Sequence, residues 1–311
     1  MGVVRAVCIS EKKGTEKQNV HKAKLVADSG LKGDAHAGNW HRQVSLLSYE
    51  QIEAFRQRGA QIEFGAFGEN LVVEGFDLKT LPIGTRFRCN DVILEMTQIG
   101  KECHHGCRIF QTMGDCIMPR EGVFTRVLKG GEIKAGDEIT MLPLEKDRPF
   151  TAAVITLSDK GAAGEREDKS GPLIQEMLMK EGYDVIETLL LPDGEQPLKH
   201  QLMRLADQRQ VNVIFTTGGT GFAERDVTPE ATQAVCDRMA MGIADAIRQY
   251  SLSITGRAML SRAVSGIRKK TLIVNLPGSP KAVKESLEYV LPQLGHGLGI
   301  LRGTDGECGN S

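Results

Sequence analysis

No apolar run in this 311-residue chain approaches the roughly 18 residues needed to cross a bilayer as a helix. A protein anchored by such helices is therefore excluded. Charge of one sign is also missing: 39 Lys and Arg face 40 Asp and Glu, for a net charge of −1. The balance does not hide two opposed halves, because residues 1–150 carry 21 basic against 20 acidic side chains and residues 151–311 carry 18 against 20. No basic footprint for nucleic acid and no polybasic stretch for a membrane surface follows from this. The first residues place Arg5, Glu11, Lys12 and Lys13 where a secretory leader would have an apolar core, so a cytoplasmic protein is expected. Seven cysteines, an odd number with five in the first 116 residues, do not make a secreted disulfide framework and fit reduced thiols. What is present is ordinary: 41% apolar and 25% charged residues, enough for each half to bury a core of its own.

A boundary falls at 143–150, where Pro143 and Pro149 bracket a charged run. The expected division is 1–145, 150–303 and a frayed tail at 304–311. The first part reads as short strands at 3–9, 43–47, 69–73, 85–89, 92–97 and 138–142, punctuated by Gly-Asp, Asn-Asp and Pro-Ile-Gly turns. One helix is expected at 48–58, with Ser48 as N-cap, Gln51 completing a capping box and Gly59 past its end. Many short strands with glycine-rich turns predict a β barrel or sandwich. The second part alternates: strands at 154–157, 183–191, 211–217 and 272–276, and helices at 171–181, 197–209, from a Thr228 cap with Pro229, and at 280–292. This alternation predicts an α/β doubly wound, mostly parallel sheet.

Three loops of the second part follow strands and should share the carboxyl edge of the sheet, where ligands bind in open α/β folds. The richest is Thr216-Thr217-Gly218-Gly219-Thr220-Gly221, followed by Arg225-Asp226-Val227-Thr228-Pro229. Three glycines in four positions let backbone N–H groups approach an anion, and the next helix points its positive end at them. Asp226 beside an anion loop calls for a cation, and Mg²⁺ supplies one. Leu190-Leu191-Pro192-Asp193-Gly194 brings a second carboxylate, Asn275-Leu276-Pro277-Gly278-Ser279-Pro280 a third tight turn, and Ser158-Asp159 a hydroxyl and a carboxylate. Taken singly, each of these is an ordinary turn or cap; together they define a site.

These segments, with Asp168-Lys169-Ser170-Gly171, resemble the MogA/MoaB family of molybdenum-cofactor synthesis proteins over about 151–302. The resemblance implies a molybdopterin-binding α/β fold, a homotrimer, and adenylyl transfer from MgATP to molybdopterin. It places the two family carboxylates on Asp193 and Asp226, as catalytic and metal-holding residues. Ser158, Asp159, Thr217, Gly218, Gly219, Thr220, Gly221, Pro277, Gly278 and Ser279 would bind the substrates. Lys169, Arg225 and Lys281 are candidate electrostatic helpers.

The first part carries Lys101-Glu102-Cys103-His104-His105-Gly106-Cys107, with Cys116 nine residues on. Three readings stay open: a zinc site, although no Cys-x-x-Cys or His-x₃-His spacing is present; small buried thiols; and a reactive thiol whose ionised form is favoured by Lys101, His104 and His105. Cys8 and Cys89 lie in apolar strand patterns and should be inert. Ile9-Ser10-Glu11-Lys12-Lys13-Gly14-Thr15, Gly30-Leu31-Lys32-Gly33-Asp34-Ala35-His36, Arg42-Gln43-Val44-Ser45-Leu46-Leu47, Phe67-Gly68-Glu69-Asn70-Leu71, Gly100-Lys101-Glu102-Cys103 and Gly122-Val123-Phe124 resemble a MOSC domain over about 1–142. That resemblance implies a barrel-like fold and a cysteine, best matched by Cys103, that carries sulfur or touches cofactor, with His36, Arg42 and Asn70 as pocket residues. The combined expectation is an adenylyltransferase fused to a cofactor-handling domain, with a molybdate-insertion protein or a sulfur donor as further partners. The alternative is a non-catalytic carrier that delivers finished cofactor. Both Asp193 and Asp226 favour the enzyme, since a carrier needs neither.

Overall fold

The structure is a computed structural model and describes residues 1–102, 110, 114–145 and 147–305. The chain divides into two compact units, Met1–Glu145 and Lys146–Ser311. No described helix is long and apolar enough to cross a membrane.

The first unit is built from strands β1 (Gly2–Ile9), β2 (Gln18–Asn19), β3 (Lys22–Val26), β4 (Gly30–Leu31), β5 (Val44–Ser48), β6 (Leu71–Glu74), β7 (Arg86–Cys89), β8 (Val92–Ile99), β9 (Val123–Lys129), β10 (Gly131–Lys134) and β11 (Glu138–Met141). Its main sheet runs β11-β7-β8-β9-β5-β6-β1-β2, and β11 returns to pair with β1, which closes a barrel. Closure pairs the strands β11 and β1, which would otherwise each present an open edge. Alternating side chains of these strands, among them Val4, Leu46, Leu71, Phe87, Leu94 and Val127, fill the interior. A second cluster packs Ile52 and Phe55 of the helix Tyr49–Gln57 against Ala6, Val72 and Phe67 outside the barrel. Ser48 does stand at the N-cap of that helix, but the capping box does not form. Its hydroxyl donates to the Phe76 carbonyl at 2.6 Å and caps no helix amide.

The second unit holds β12 (Thr151–Leu157), β13 (Asp184–Leu191), β14 (Val213–Thr217), β15 (Arg238–Met239), β16 (Ser265–Arg268) and β17 (Thr271–Leu276), in the order β13-β12-β14-β17-β16-β15. The four strands from β13 to β17 are parallel, and β16 and β15 extend them antiparallel. Both faces are covered, which explains the unbroken apolar runs. Ala152, Val154, Val213, Phe215, Leu272 and Val274 enter one core with the helices Ser170–Lys180 and Pro280–Arg302. Ala153, Ile155, Ile214 and Ile273 enter the other, with the helices Glu195–Met203 and Thr228–Val235. The last long helix runs ten residues past its expected end, through Pro292, to Gly303 in the left-handed conformation (φ +82°). Of the expected tail, residues 306–311 lie outside the described residues.

Candidate functional site

Parallel register brings the loops of the second unit to one edge. Leu157 pairs with Leu191, Thr156 with Thr217, and Thr217 with Leu276, so the chain segments after β12, β13, β14 and β17 all leave the sheet together. Strand order reverses between β12 and β14, since β13 lies to one side of β12 and β14 to the other. A crevice at such a reversal is the usual ligand position in open parallel sheets.

The glycine loop needs its glycines for two stated reasons. Gly218 has φ +95°, and a Cβ there would stand 2.3 Å from the Leu157 carbonyl oxygen. Gly219 has φ +63°, and a Cβ there would stand 2.4 Å from Thr228 Oγ1. Thr217 Oγ1 donates to the Pro277 carbonyl at 2.6 Å, which ties the loop to the turn after β17. Thr228 is not the cap that its sequence position suggests. It is the first residue of the helix Thr228–Val235, and its hydroxyl donates backwards to the Gly218 carbonyl at 2.9 Å, locking loop to helix. Under the loop lies a buried polar network that sequence reasoning missed. Asn275 donates to Thr216 Oγ1 and Thr232 Oγ1, both at 2.9 Å, and accepts from the Val264 amide at 3.2 Å. Fully satisfied buried groups of this kind hold a loop floor in one geometry. In the turn after β17, Gly278 accepts from Ser170 Oγ through its carbonyl at 3.0 Å, and Ser279 caps the helix Pro280–Arg302 by accepting from the Ala282 amide at 3.3 Å.

The carboxylates converge on the same edge. Asp159 Oδ1 accepts from the Asp193 amide at 2.9 Å, and Asp193 Oδ2 accepts from the Asp159 amide at 3.3 Å, a reciprocal pairing of the loops after β12 and β13. Ser158 uses its hydroxyl to cap the short helix Asp159–Ala162 through the Gly161 amide. Asp226 Oδ2 accepts from the Ala223 amide at 2.9 Å. Burial raises the Asp193 pKa. The charges of Asp159 and Asp226 add to that rise, and the Asp159 amide bond and Arg225 oppose it. Of the three expected helper cations, Arg225 is the one that acts on Asp193. Lys169 and Lys281 behave differently: both side chains are more than two-thirds exposed, near Glu167 and Glu285 respectively. The residue that sequence reasoning missed altogether is Arg262. It binds the Gly221 carbonyl at 2.7 Å, the Asp226 carbonyl and Glu230. No motif signals it, because its partners lie 32–41 positions away in the chain.

The donor set suits a hard divalent cation. Both carboxylates keep an oxygen outside hydrogen bonds among the described residues, and oxygen is what Mg²⁺ prefers. Among the described residues no three His, Cys, Asp or Glu side chains gather into a metal cage. Mg²⁺ commonly takes only one or two carboxylates and completes its shell with water and substrate phosphates, so two aspartates beside a glycine-rich loop fit it.

The first unit contains a cavity of about 680 Å³ lined by His36, Trp40, Arg42, Asn70, Lys101 and Phe124, among others. The three pocket residues expected from sequence are all there. The Arg42 guanidinium lies 4.8 Å from the Trp40 ring centroid and 5.5 Å from that of Phe124. Asn70 has a framework role as well. Its Nδ2 donates to the Cys8 carbonyl and its Oδ1 accepts from Ser45 N and Oγ, at 3.0–3.1 Å. Behind the wall, buried Lys17 pairs with buried Asp34 and reaches His36 Nδ1 at 3.3 Å. Burial pushes Asp34 up, but bonds from His36, Lys17 and the Ser10 amide outweigh it and hold the carboxylate well below its usual range. Cys8 and Cys89 are buried and their thiols are pushed up to about 12 by that burial, as inert cysteines require. Cys103, His104, His105 and Cys107 lie outside the described residues.

Residues 153–296 match the family model described as a probable molybdopterin binding domain, and residues 33–140 match the MOSC domain. The molybdopterin adenylyltransferase of Haemophilus influenzae is 44% identical over 147 residues, covering 47% of this chain and 75% of the relative. That of Helicobacter pylori (strain ATCC 700392) is 40% identical over 152 residues, covering 48% and 86%. The crystal structure of the molybdopterin biosynthesis enzyme MoaB from Thermus thermophilus aligns with 50% of this chain and 97% of its own length at 45% identity, with a TM-score of 0.48. The second unit is an open, mostly parallel sheet with a glycine-rich loop and the Asp159–Asp193 pair at its switch point. The chain belongs to the molybdopterin adenylyltransferase family and carries a MOSC domain ahead of that unit.

Proposed function

We propose that the second unit transfers an adenylyl group from MgATP to molybdopterin. A terminal phosphate oxygen of molybdopterin attacks the α-phosphorus of ATP, the bond from that phosphorus to the bridging oxygen breaks, and pyrophosphate leaves. The nucleophile is already an anion, so no general base is required. What the protein must do is bring two polyanions together in line and offset their charge. N–H groups of Gly218, Gly219, Thr220 and Gly221 and the N-terminus of the helix Thr228–Val235 would receive phosphate oxygens. Ser158, Asp159 and the Pro277-Gly278-Ser279 turn would line the pterin side of the same edge. Asp193 and Asp226 would hold Mg²⁺, which when bound neutralises charge on the leaving pyrophosphate.

The observation that carries this reading is the meeting of four loops at one sheet edge, two of them bearing Asp193 and Asp226. The test is Asp226→Asn in the full chain. Asparagine keeps an acceptor for the Ala223 amide but removes the charge. Adenylyl transfer should fall ~100-fold or more, the scale on which removing one preorganised charge-stabilising group acts, with the melt unchanged. Asp193→Asn should behave alike, and the double variant should lose far less than the product of the two. Turnover like wild type in Asp226→Asn would remove the cation role and leave a carrier of finished cofactor as the better reading.

The barrel cavity, with Arg42, Lys101 and His36 on its wall, is the binding place for the cofactor in the same scheme. Cys103, one residue beyond Glu102 of that wall, is its candidate sulfur-carrying or cofactor-contacting thiol. A homotrimer in the cytoplasm, supplied by a sulfur donor or serving a molybdate-insertion protein, completes the proposal.

A further inference from the structure

Residues 222–225 of the loop carrying Asp226 are exposed, and Phe222 is 70% exposed. Among the described residues of the loop, two short-range bonds hold Asp226: its amide donates to the Ala223 carbonyl, and the Ala223 amide donates to its carboxylate, both at 2.9 Å. Fixing an exposed residue costs about 1–2 kcal/mol of backbone entropy each, so two bonds do not define the position of a five- or six-residue loop. Arg262 supplies the missing constraint. It comes from the segment leading into β16, which is itself pinned because the Val264 amide donates to buried Asn275. Its Nε donates to the Gly221 carbonyl at 2.7 Å and its Nη2 to the Asp226 carbonyl, the first and last residues of the loop. The Arg262 amide donates to the Thr220 carbonyl at 3.0 Å, and Nη1 pairs with Glu230 on the helix that follows. One planar guanidinium therefore fixes both ends of the loop against a buried floor, which a lysine with a single ammonium cannot do.

We propose that Arg262 is a positioning residue for the reaction, holding the Asp226 carboxylate at the crevice by clamping the Gly221 and Asp226 carbonyls. This rests on the adenylyl-transfer reading given above. Arg262 acts through Asp226, so its loss should matter only where Asp226 is able to function. Displacement of a reacting group by about 1 Å costs on the order of 100-fold in rate.

The experiment uses the full chain and two readouts. The first is adenylyl transfer with molybdopterin and MgATP, resolved into kcat, KM for ATP and the Mg²⁺ concentration giving half-maximal rate. The second is hydrogen exchange of the amides of residues 222–227. Arg262→Met should lower kcat by ~10- to 100-fold, raise the Mg²⁺ requirement and speed exchange in the loop. Arg262→Lys should recover only part of each. Glu230→Gln, which removes the ion pair but neither carbonyl bond, should stay within about threefold of wild type on all of them. In an Asp226→Asn background, Arg262→Met should cost less than about threefold more, because the group it positions is already disabled. Equal losses in both backgrounds, or faster loop exchange with an unchanged Mg²⁺ requirement, would overturn the positioning role. A wild-type chain that makes no adenylylated pterin would overturn the adenylyl-transfer reading itself, and the exchange data would still report whether Arg262 holds the loop.

Discussion

Asp159, Asp193 and Asp226 meet at one edge of the sheet, and the consequence for Asp193 is measurable without any substrate. The folded-state pKa of Asp193 lies above its unfolded value, raised first by burial and then by its two acidic neighbours. A raised carboxyl binds its proton more tightly in the folded chain. Its contribution to stability is therefore present below the ordinary carboxylate range and is lost as pH rises through the folded value. Replacing Asp159 by Asn removes a like charge but keeps an acceptor for the Asp193 amide. In the absence of divalent cations, the decline in melting temperature of the second unit with rising pH should be shallower in Asp159→Asn than in wild type, as followed by thermal melts across the acid range. Identical slopes would mean that the two carboxylates do not interact. At this scale the sequence was generous with glycines and carboxylates, because turn chemistry and anion binding demand particular residue types at particular spacings. It was silent about Arg262 and about the Asn275 network, whose partners are backbone carbonyls and hydroxyls brought from far along the chain.

Elements were legible where periodicity and burial coincide. The two-faced strands β12, β14 and β17 read as continuous apolar runs because both faces pack. β3 escaped notice because Lys22, Lys24 and Val26 face solvent and only Leu25 is buried. The helix Met241–Ile254 escaped as well, since it buries only Ala244 and Ile247. In the sequence pattern the last long helix ends at Pro292, a residue disfavoured in helix interiors. It continues because Pro292 and Glu288, whose carbonyl loses its partner, both face water, while Leu294 and Leu298 on the far side are buried in the sheet core. That placement predicts that Leu294→Ala destabilises the protein by ~2–4 kcal/mol in denaturant unfolding, as a buried leucine does. A cost under about 0.5 kcal/mol would be that of a surface residue and would put the helix end back at Pro292.

For the whole molecule, the composition break at Pro143 and Pro149 places a boundary at 143–150, because linkers avoid apolar and periodic residues. The barrel and the α/β unit each have their own buried clusters. Fragments 1–145 and 148–311 should accordingly each be soluble and melt cooperatively, and a fragment that fails to do so would mean that the halves share a core. The most direct measurement of the central claim is made on the intact chain: incubation with molybdopterin and MgATP, with pyrophosphate and adenylylated pterin quantified together. The account predicts the two products in equal amounts, formed catalytically by wild type and nearly abolished by Asp193→Asn and by Asp226→Asn. Binding of molybdopterin without pyrophosphate release, or product formation that ignores both aspartates, would contradict it.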